Sequence, residues 1–213
     1  MAGPDINPTT AGASIQADAI IRLSGIYRYF SGVAALRDVS VDFYRGEVHA
    51  ILGENGAGKS TLMSIISGAL QPSEGEITID GRTMRHLTPD IAASLGIAIC
   101  FQHPAILEDL SVLENLRVAL PAAVFAGRPV QETARQMLDR VGLDVPLRMR
   151  ADGLTVAQKH LLEIAKALAL KPKVIILDEP TASLDQDATD MLFGRIREIV
   201  RDGTSVIYIT HRL

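Results

Sequence analysis

The chain has 213 residues, 47% hydrophobic and only 4% aromatic, enough to bury a sizeable core in one domain with a subdomain. A net charge of −4 and the lack of any Lys/Arg block argue against nucleic acid as the main partner. The longest uncharged apolar stretch, Val118 to Gly127, is about half the roughly 20 residues that a membrane-spanning helix needs, and it contains Pro121.

Residues 1 to 18 carry Asp5 and Asp18 but neither a basic head nor an apolar core, so they read as a flexible lead and not as a signal peptide. Ile21–Leu23, Val39–Phe43 and Glu76–Ile79 then read as a small β-rich region. The apolar strand Val48–Leu52 runs into Gly53-Glu54-Asn55-Gly56-Ala57-Gly58-Lys59-Ser60-Thr61, which fits G-x-x-x-x-G-K-[ST] in strand, loop, helix context. A phosphate chain needs many donors at short range. Glycines at 53, 56 and 58 let backbone N–H groups converge on it without side-chain obstruction, and the helix Lys59–Ala69 adds its positive end. Lys59 is placed to reach the β- and γ-phosphates, Ser60 to bind Mg²⁺, and Thr61 to support the helix start. The motif therefore points to a nucleoside triphosphate.

Next comes a strand at Ile97–Phe101, with Gln102 at its end. Cys100, the one cysteine of the chain, cannot form an internal disulfide and reads as a small core residue, which fits a cytoplasmic protein. From Gln102 to Gly153 the strand signal vanishes. Val112–Leu120 and Val130–Val141 read as helices broken by Pro121, Gly127 and Pro129, a helical subdomain at about 103–153. Helix Val156–Leu170 leads to a buried parallel strand at Val174–Leu177 that ends in Asp178 and Glu179. At the carboxyl edge of a sheet, Asp178 can hold Mg²⁺ through its waters, and Glu179 stands nearer the γ-phosphate, where it can orient or deprotonate the attacking water. Helix Asp187–Arg201 and strand Ser205–Ile209 complete an alternating pattern that predicts an α/β fold with a parallel sheet. No internal repeat is evident. His86, His103 and His160 share no metal-ligand spacing.

These motifs resemble the ATP-binding subunits of ABC transporters, and the resemblance runs from about Ile21 to Leu213. It implies a P-loop NTPase parallel-sheet core with a small antiparallel β lobe and a helical subdomain. Gln102 resembles the Q-loop glutamine, which touches Mg²⁺ and reports to membrane subunits. Ser183-Leu184-Asp185 resembles the D-loop, and His211 the switch histidine that senses the γ-phosphate. Phe30 aligns with the aromatic that stacks on adenine; Tyr29 is a neighbouring alternative, and either reads equally as a core aromatic. The wording Gly46–Ala50 into Gly53–Met63, then Leu162–Leu168 and Thr210–Leu213, resembles the monosaccharide-importing branch, whose chains usually carry two tandem cassettes. This chain resembles the amino-terminal one. The resemblance implies ATP and Mg²⁺ as cofactors, with Ser60, Gln102 and Asp178 as metal ligands and Lys59, Glu179 and His211 as catalytic groups. Its implied partners are membrane-spanning permease subunits, a second cassette and, indirectly, a periplasmic solute-binding protein. Its implied location is the cytoplasmic face of the cell membrane. Two alternatives stay open, a regulatory cassette with little hydrolysis and a non-transport ABC ATPase.

Two features depart from the family pattern. Where the family has Leu-Ser-Gly-Gly-Gln, or Leu-Ser-Val-Gly-Gln in the sugar branch, this chain reads Leu154-Thr155-Val156-Ala157-Gln158. Thr155, Ala157 and Gln158 would serve the nucleotide of the partner cassette, and the Ala157 methyl is expected to hold its amide off the phosphate. Leu213 also follows His211 by two residues where the family continues, which predicts missing C-terminal elements and an uncovered sheet edge. The apolar stretch Ala119–Phe125 reads either as core or, with Phe101 to Leu113, as part of a partner surface.

Overall fold

Strand β7, Val174–Asp178, is four buried apolar residues closed by a carboxylate, the composition of a strand covered on both faces. In the computed structural model, which describes residues 19–54, 56–182 and 184–211, it is the third strand of a parallel sheet. It pairs on one side with β6 (Ile97–Cys100) and on the other with β8 (Ser205–Thr210), which pairs in turn with β3 (Val48–Leu52). The order is β3-β8-β7-β6.

A second sheet is antiparallel, with order β2-β1-β4-β5. It is built from β1 (Ala19–Phe30), β2 (Val33–Tyr44), β4 (Glu74–Ile79) and β5 (Arg82–Met84). The helices are α1 (Lys59–Ile66), α2 (Pro89–Ser94), α3 (Val112–Ala119), α4 (Val130–Arg140), α5 (Val156–Ala169) and α6 (Gln186–Arg201). Side chains alternate across a strand, so the parallel sheet is a wall between two cores. Ile175 and Leu177 of β7, with Val206 and Tyr208 of β8, pack with Leu116, Leu138, Leu162 and Ile196 of the helices. Val174, Ile176, Ile207 and Ile209 pack with α1 and the antiparallel sheet through Ile65, Ile66, Ile21 and Ile77.

The expected α/β architecture is present, with differences of extent. Ile21–Leu23 and Val39–Phe43 are parts of strands of 12 residues each, and of these segments Ile21, Leu23 and Phe43 are buried. Their remaining length is half-exposed and interrupted by register shifts at the Leu23/Ile26 and Arg28/Tyr29 steps, which breaks the two-residue period that a strand shows in sequence. Helix α1 ends at Ile66, short of Ala69. The chain turns there because Gly68 has φ +78 and sits where a Cβ would come within 2.4–2.6 Å of the Thr88 carbonyl group. Strand β5 and helix α2 were not foreseen. Helix α2 rests on a Thr88 cap with Pro89 at its first position, a start signal on an element of only six residues.

Between Gln102 and Gly153 lie α3, α4 and two short 3₁₀ turns, with one isolated bridge, Ser111 to Arg150. In the Ala119–Phe125 stretch Leu120 is buried and Val124 and Phe125 pack against the helical core. Among the described residues no helix is long and apolar enough to cross a membrane. The readings for residues 1–18, Asn55, Ser183, Arg212 and Leu213 lie outside the described residues.

Candidate nucleotide-binding site

The loop after β3 turns into α1 through Gly58, which takes φ +87. A Cβ there would lie 2.7 Å from both the Ala35 carbonyl oxygen and Leu36 Cδ2, so the loop and β2 are in direct contact and only glycine fits. Gly58 is the helix N-cap and offers no capping side chain, which leaves the first-turn N–H groups of α1 open to an anion. Lys59 is buried, and its Nζ donates to the carbonyls of Gly53 at 2.6 Å and Glu54 at 2.9 Å. An ammonium has three donors, so one remains after these two bonds fix the side chain across the loop. Ser60 is exposed beside it and Thr61 half-buried.

Asp178 and Glu179 leave the carboxyl end of β7. The Glu179 N–H donates to the Ile209 carbonyl at 3.0 Å, locking the residue to β8, and its φ of 46 is left-handed. That backbone turns the carboxylate between two neighbours. Oε1 lies 2.8 Å from His211 Nδ1, and Oε2 accepts from Gln102 Nε2 at 3.4 Å. In the Nδ1–H tautomer the imidazole donates to the carboxylate. The ends of β6, β7 and β8 thus meet at one carboxylate, while β3 supplies the phosphate loop. A cleft of about 170 Å³ is lined by Ala35, Gly56, Gly58, Lys59, Ser60, Thr61 and Glu179.

The Asp178 carboxyl is held above its ordinary pKa, chiefly by burial and next by Glu179, with Lys59 opposing. Asp178 directly precedes Glu179 and does not itself line the cleft; together with the Ser60 hydroxyl and the Gln102 amide oxygen it makes an all-oxygen donor set, the chemistry that a hard divalent cation such as Mg²⁺ takes. Among the described residues no group of three or more His, Cys, Asp or Glu is disposed to hold a metal.

Of the expected site residues, the structure brings Gly56, Gly58, Lys59, Ser60, Thr61 and Glu179 to the cleft, with Gln102 and His211 bonded to Glu179. Gly53 and Ala57 belong to the same loop. Thr155, Ala157, Gln158, Asp185 and Phe30 do not line it. Thr155 and Gln158 form a capping box at the start of α5: the Gln158 N–H donates to Thr155 Oγ1 at 3.2 Å and the Thr155 N–H donates to Gln158 Oε1 at 2.9 Å. Asp185 caps α6 by accepting from the Ala188 N–H at 2.8 Å.

Phe30 and Tyr29 are both about two-fifths exposed, at 45% and 40%. Phe30 shares its face of β1 with Arg28, whose register partner is Leu36, the residue against Gly58. The Arg28 guanidinium sits over the Phe30 ring, whereas Tyr29 stacks on Tyr27.

Sequence reasoning missed one residue of the cleft, Ala35, and one bond near Glu179 in the chain. Ala35 reaches the cleft from β2, and nothing in its local sequence marks it. Thr181, two residues after Glu179, lies 2.7 Å from the hydroxyl of Tyr208, three residues before His211. A tyrosine in an otherwise apolar buried strand needs a partner for its hydroxyl, and that is the signal by which this bond was detectable.

The ABC transporter family profile matches residues 36–182. The ribose import ATP-binding protein RbsA 2 of Rhizobium etli is 43% identical over 201 residues, covering 92% of this chain and 39% of its own. The D-allose import ATP-binding protein AlsA of Escherichia coli K12 is 42% identical over 200 residues, covering 91% of this chain and 39% of its own. This chain thus spans about two-fifths of the length of these relatives. Among solved structures, cbiO1 from Clostridium perfringens, part of the ABC transporter complex cbiONQ, superposes with a TM-score of 0.79 at 32% identity, covering 92% of this chain and 79% of that one. The matched segment holds the phosphate loop, Gln102, the Thr155–Gln158 cap and the Asp178–Glu179 pair, and with that agreement of sequence and geometry the chain belongs to the ABC transporter family, among its ATP-binding cassettes.

Proposed function

We propose that this chain is the ATP-binding and hydrolysing cassette of a transporter that imports a small sugar or related solute. The observation that carries the reading is the three-way contact of Glu179 with Gln102 and His211 beside the Lys59 loop. The sugar assignment draws on the relatives named for ribose and D-allose import.

The phosphates lie along the loop from Gly53 to Thr61, against the open N–H groups of α1, with the remaining donor of Lys59 on the β- and γ-phosphates. Ser60, Gln102 and Asp178 would hold Mg²⁺, which supplies charge neutralisation on the phosphate oxygens. Glu179 accepts the proton of the attacking water, and His211 and Gln102 fix its carboxylate from both oxygens, so the base need not reorient during the reaction. Phe30 takes the adenine ring. Thr155, Ala157, Gln158 and Asp185 serve the nucleotide held by a second cassette. The permease docks in a groove of about 430 Å³ between Ala98, Phe101, Ala119, Leu120 and Leu170. A solute-binding protein acts through the permease, and the cassette works at the cytoplasmic face of the membrane.

A second reading, a cassette that binds ATP but hardly hydrolyses it, is favoured by the Ala157 methyl in the first turn of α5, while Thr155, which accepts from the Gln158 N–H, keeps its hydroxyl proton free to donate. The deciding experiment measures ATP binding and steady-state hydrolysis by the cassette assembled with its permease and second cassette. Glu179→Gln should leave binding intact and lower turnover about a hundredfold or more, the usual scale of general-base catalysis. Turnover that ignores Glu179 would transfer the chemistry to the partner and support the second reading.

A further inference from the structure

Arg28 lies outside the phosphate cleft, and its placement is unusual for an arginine. Its guanidinium carbon sits 4.8 Å from the centre of the Phe30 ring, within cation–π range. Its Nη1 donates to the Gln71 carbonyl at 3.0 Å, while its Nε is buried with no hydrogen-bond partner among the described residues. One edge of the guanidinium is thus committed to a ring face and another to the backbone of the segment that follows α1.

That segment is strapped to β1 at two further points. The Tyr29 N–H donates to Ser73 Oγ at 3.2 Å, and the Ser73 N–H donates to the Tyr27 carbonyl at 2.8 Å. Gln71 continues the chain of contacts: its side-chain amide pairs with both the N–H and the carbonyl of Leu87. Phe30, Arg28, Gln71 and Leu87 therefore link the exposed end of the antiparallel sheet to the exit of the helix that carries Lys59. Phe30 is 45% exposed with Arg28 over its ring, and it makes no ring-to-ring contact among the described residues, so the area that Arg28 leaves uncovered is available to a ligand.

We infer that Arg28 is the positioning residue for the base of the nucleotide: it backs the Phe30 ring with a cation and fixes its distance from the phosphate loop, so that the uncovered area of the ring takes adenine. The inference rests on the reading of Phe30 as the base platform. It separates base affinity from phosphate affinity within one ligand, because the guanidinium is engaged by the Phe30 ring and the Gln71 carbonyl.

The test is titration calorimetry of the 213-residue chain with ATP and with inorganic tripolyphosphate. Arg28→Met and Phe30→Ala should each weaken ATP about two- to fivefold, the scale of an exposed cation–π contact, and leave tripolyphosphate unchanged. The double variant should bind ATP no worse than Phe30→Ala alone, since Arg28 acts through the ring. Arg28→Lys keeps the charge but cannot stack on the ring and hold the Gln71 carbonyl with one planar group, so it should show the same ATP-selective loss. A loss shared equally by tripolyphosphate, in the Met or the Lys variant, would make Arg28 a general fold support and overturn the inference. An effect of Phe30→Ala with none of Arg28→Met would overturn it too, leaving the platform in place. If Phe30→Ala leaves ATP affinity unchanged, the platform reading falls, and the role of Arg28 with it.

Discussion

Glu179 takes a left-handed backbone that costs a non-glycine residue on the order of 1 kcal/mol or more, and it is held there by its own N–H on Ile209 and by its carboxylate on His211. Strain at the residue chosen as base agrees with the general pattern in which unusual backbone is retained where geometry matters more than stability. Gly58 shows the opposite solution, a residue without a Cβ where none fits. Gly58→Ala combines a positive φ with a collision against the Ala35 carbonyl, so ATP affinity should fall about tenfold or more and the melting temperature by about 3–8 °C. Calorimetry and a thermal scan read both, and a variant with wild-type affinity would show that the loop can relax away from β2. The sequence made the phosphate loop and the carboxylate pair legible because each is a run of adjacent residues whose chemistry is local. Which residue would partner the Tyr208 hydroxyl, and the Arg28–Phe30 stack, were not legible for a different reason. In the first, partners 27 residues apart meet only after the sheet forms; in the second, adjacency along β1 says nothing until the twist of the strand and the path of Gln71 are known.

At the scale of elements, the strands of the parallel sheet and helices α3 to α6 were legible to within one or two residues, whereas the short, capped α2 was not read and α1 ended three residues early. Strand β7 announces itself by four apolar residues between polar flanks, and α5 by a Thr155 to Gln158 capping box. The half-exposed strands β1 and β2 were seen only in part, since register shifts spoil the alternation on which a sequence reading depends. The cap of α5 also frames the departure from the family pattern. Ala157 lies in the first turn, where the backbone N–H groups are those a phosphate would use, and its side chain is half-buried. Ala157→Gly should lower stability by about 0.5–1 kcal/mol through backbone entropy, yet raise turnover in the assembled transporter by letting the partner's phosphate approach the amide. Unchanged or lower turnover would show that the methyl is no obstacle.

For the molecule as a whole, the two sheets meet at Asp80, in the turn between β4 and β5, whose carboxylate pairs with Arg45 before β3 and Lys173 before β7. The hydrogen bond from Lys173, and then that from Arg45, hold the Asp80 carboxyl below the ordinary carboxylate range. A depressed folded pKa means that the pair stabilises the fold above the unfolded value and that this stabilisation disappears as pH falls through the folded one. Asp80→Asn should therefore lower the melting temperature by only about 1–2 °C near neutral pH, because the cluster is solvent-screened, and the difference should shrink below about pH 4 and with added salt. A difference that grows on acidification would assign the loss to the turn and not to the charges. The strand order has a consequence for how the protein is made. β8 is the fourth strand of its sheet in chain order but lies between β3 and β7. A nascent chain that has emerged only as far as β7 lacks the strand that hydrogen-bonds to both β3 and β7, and His211 is not yet present. Co-translational closure of the sheet must wait for residues 205–210, so a ribosome stalled before them displays an open, sticky precursor that belongs to the chaperones and has no catalytic centre.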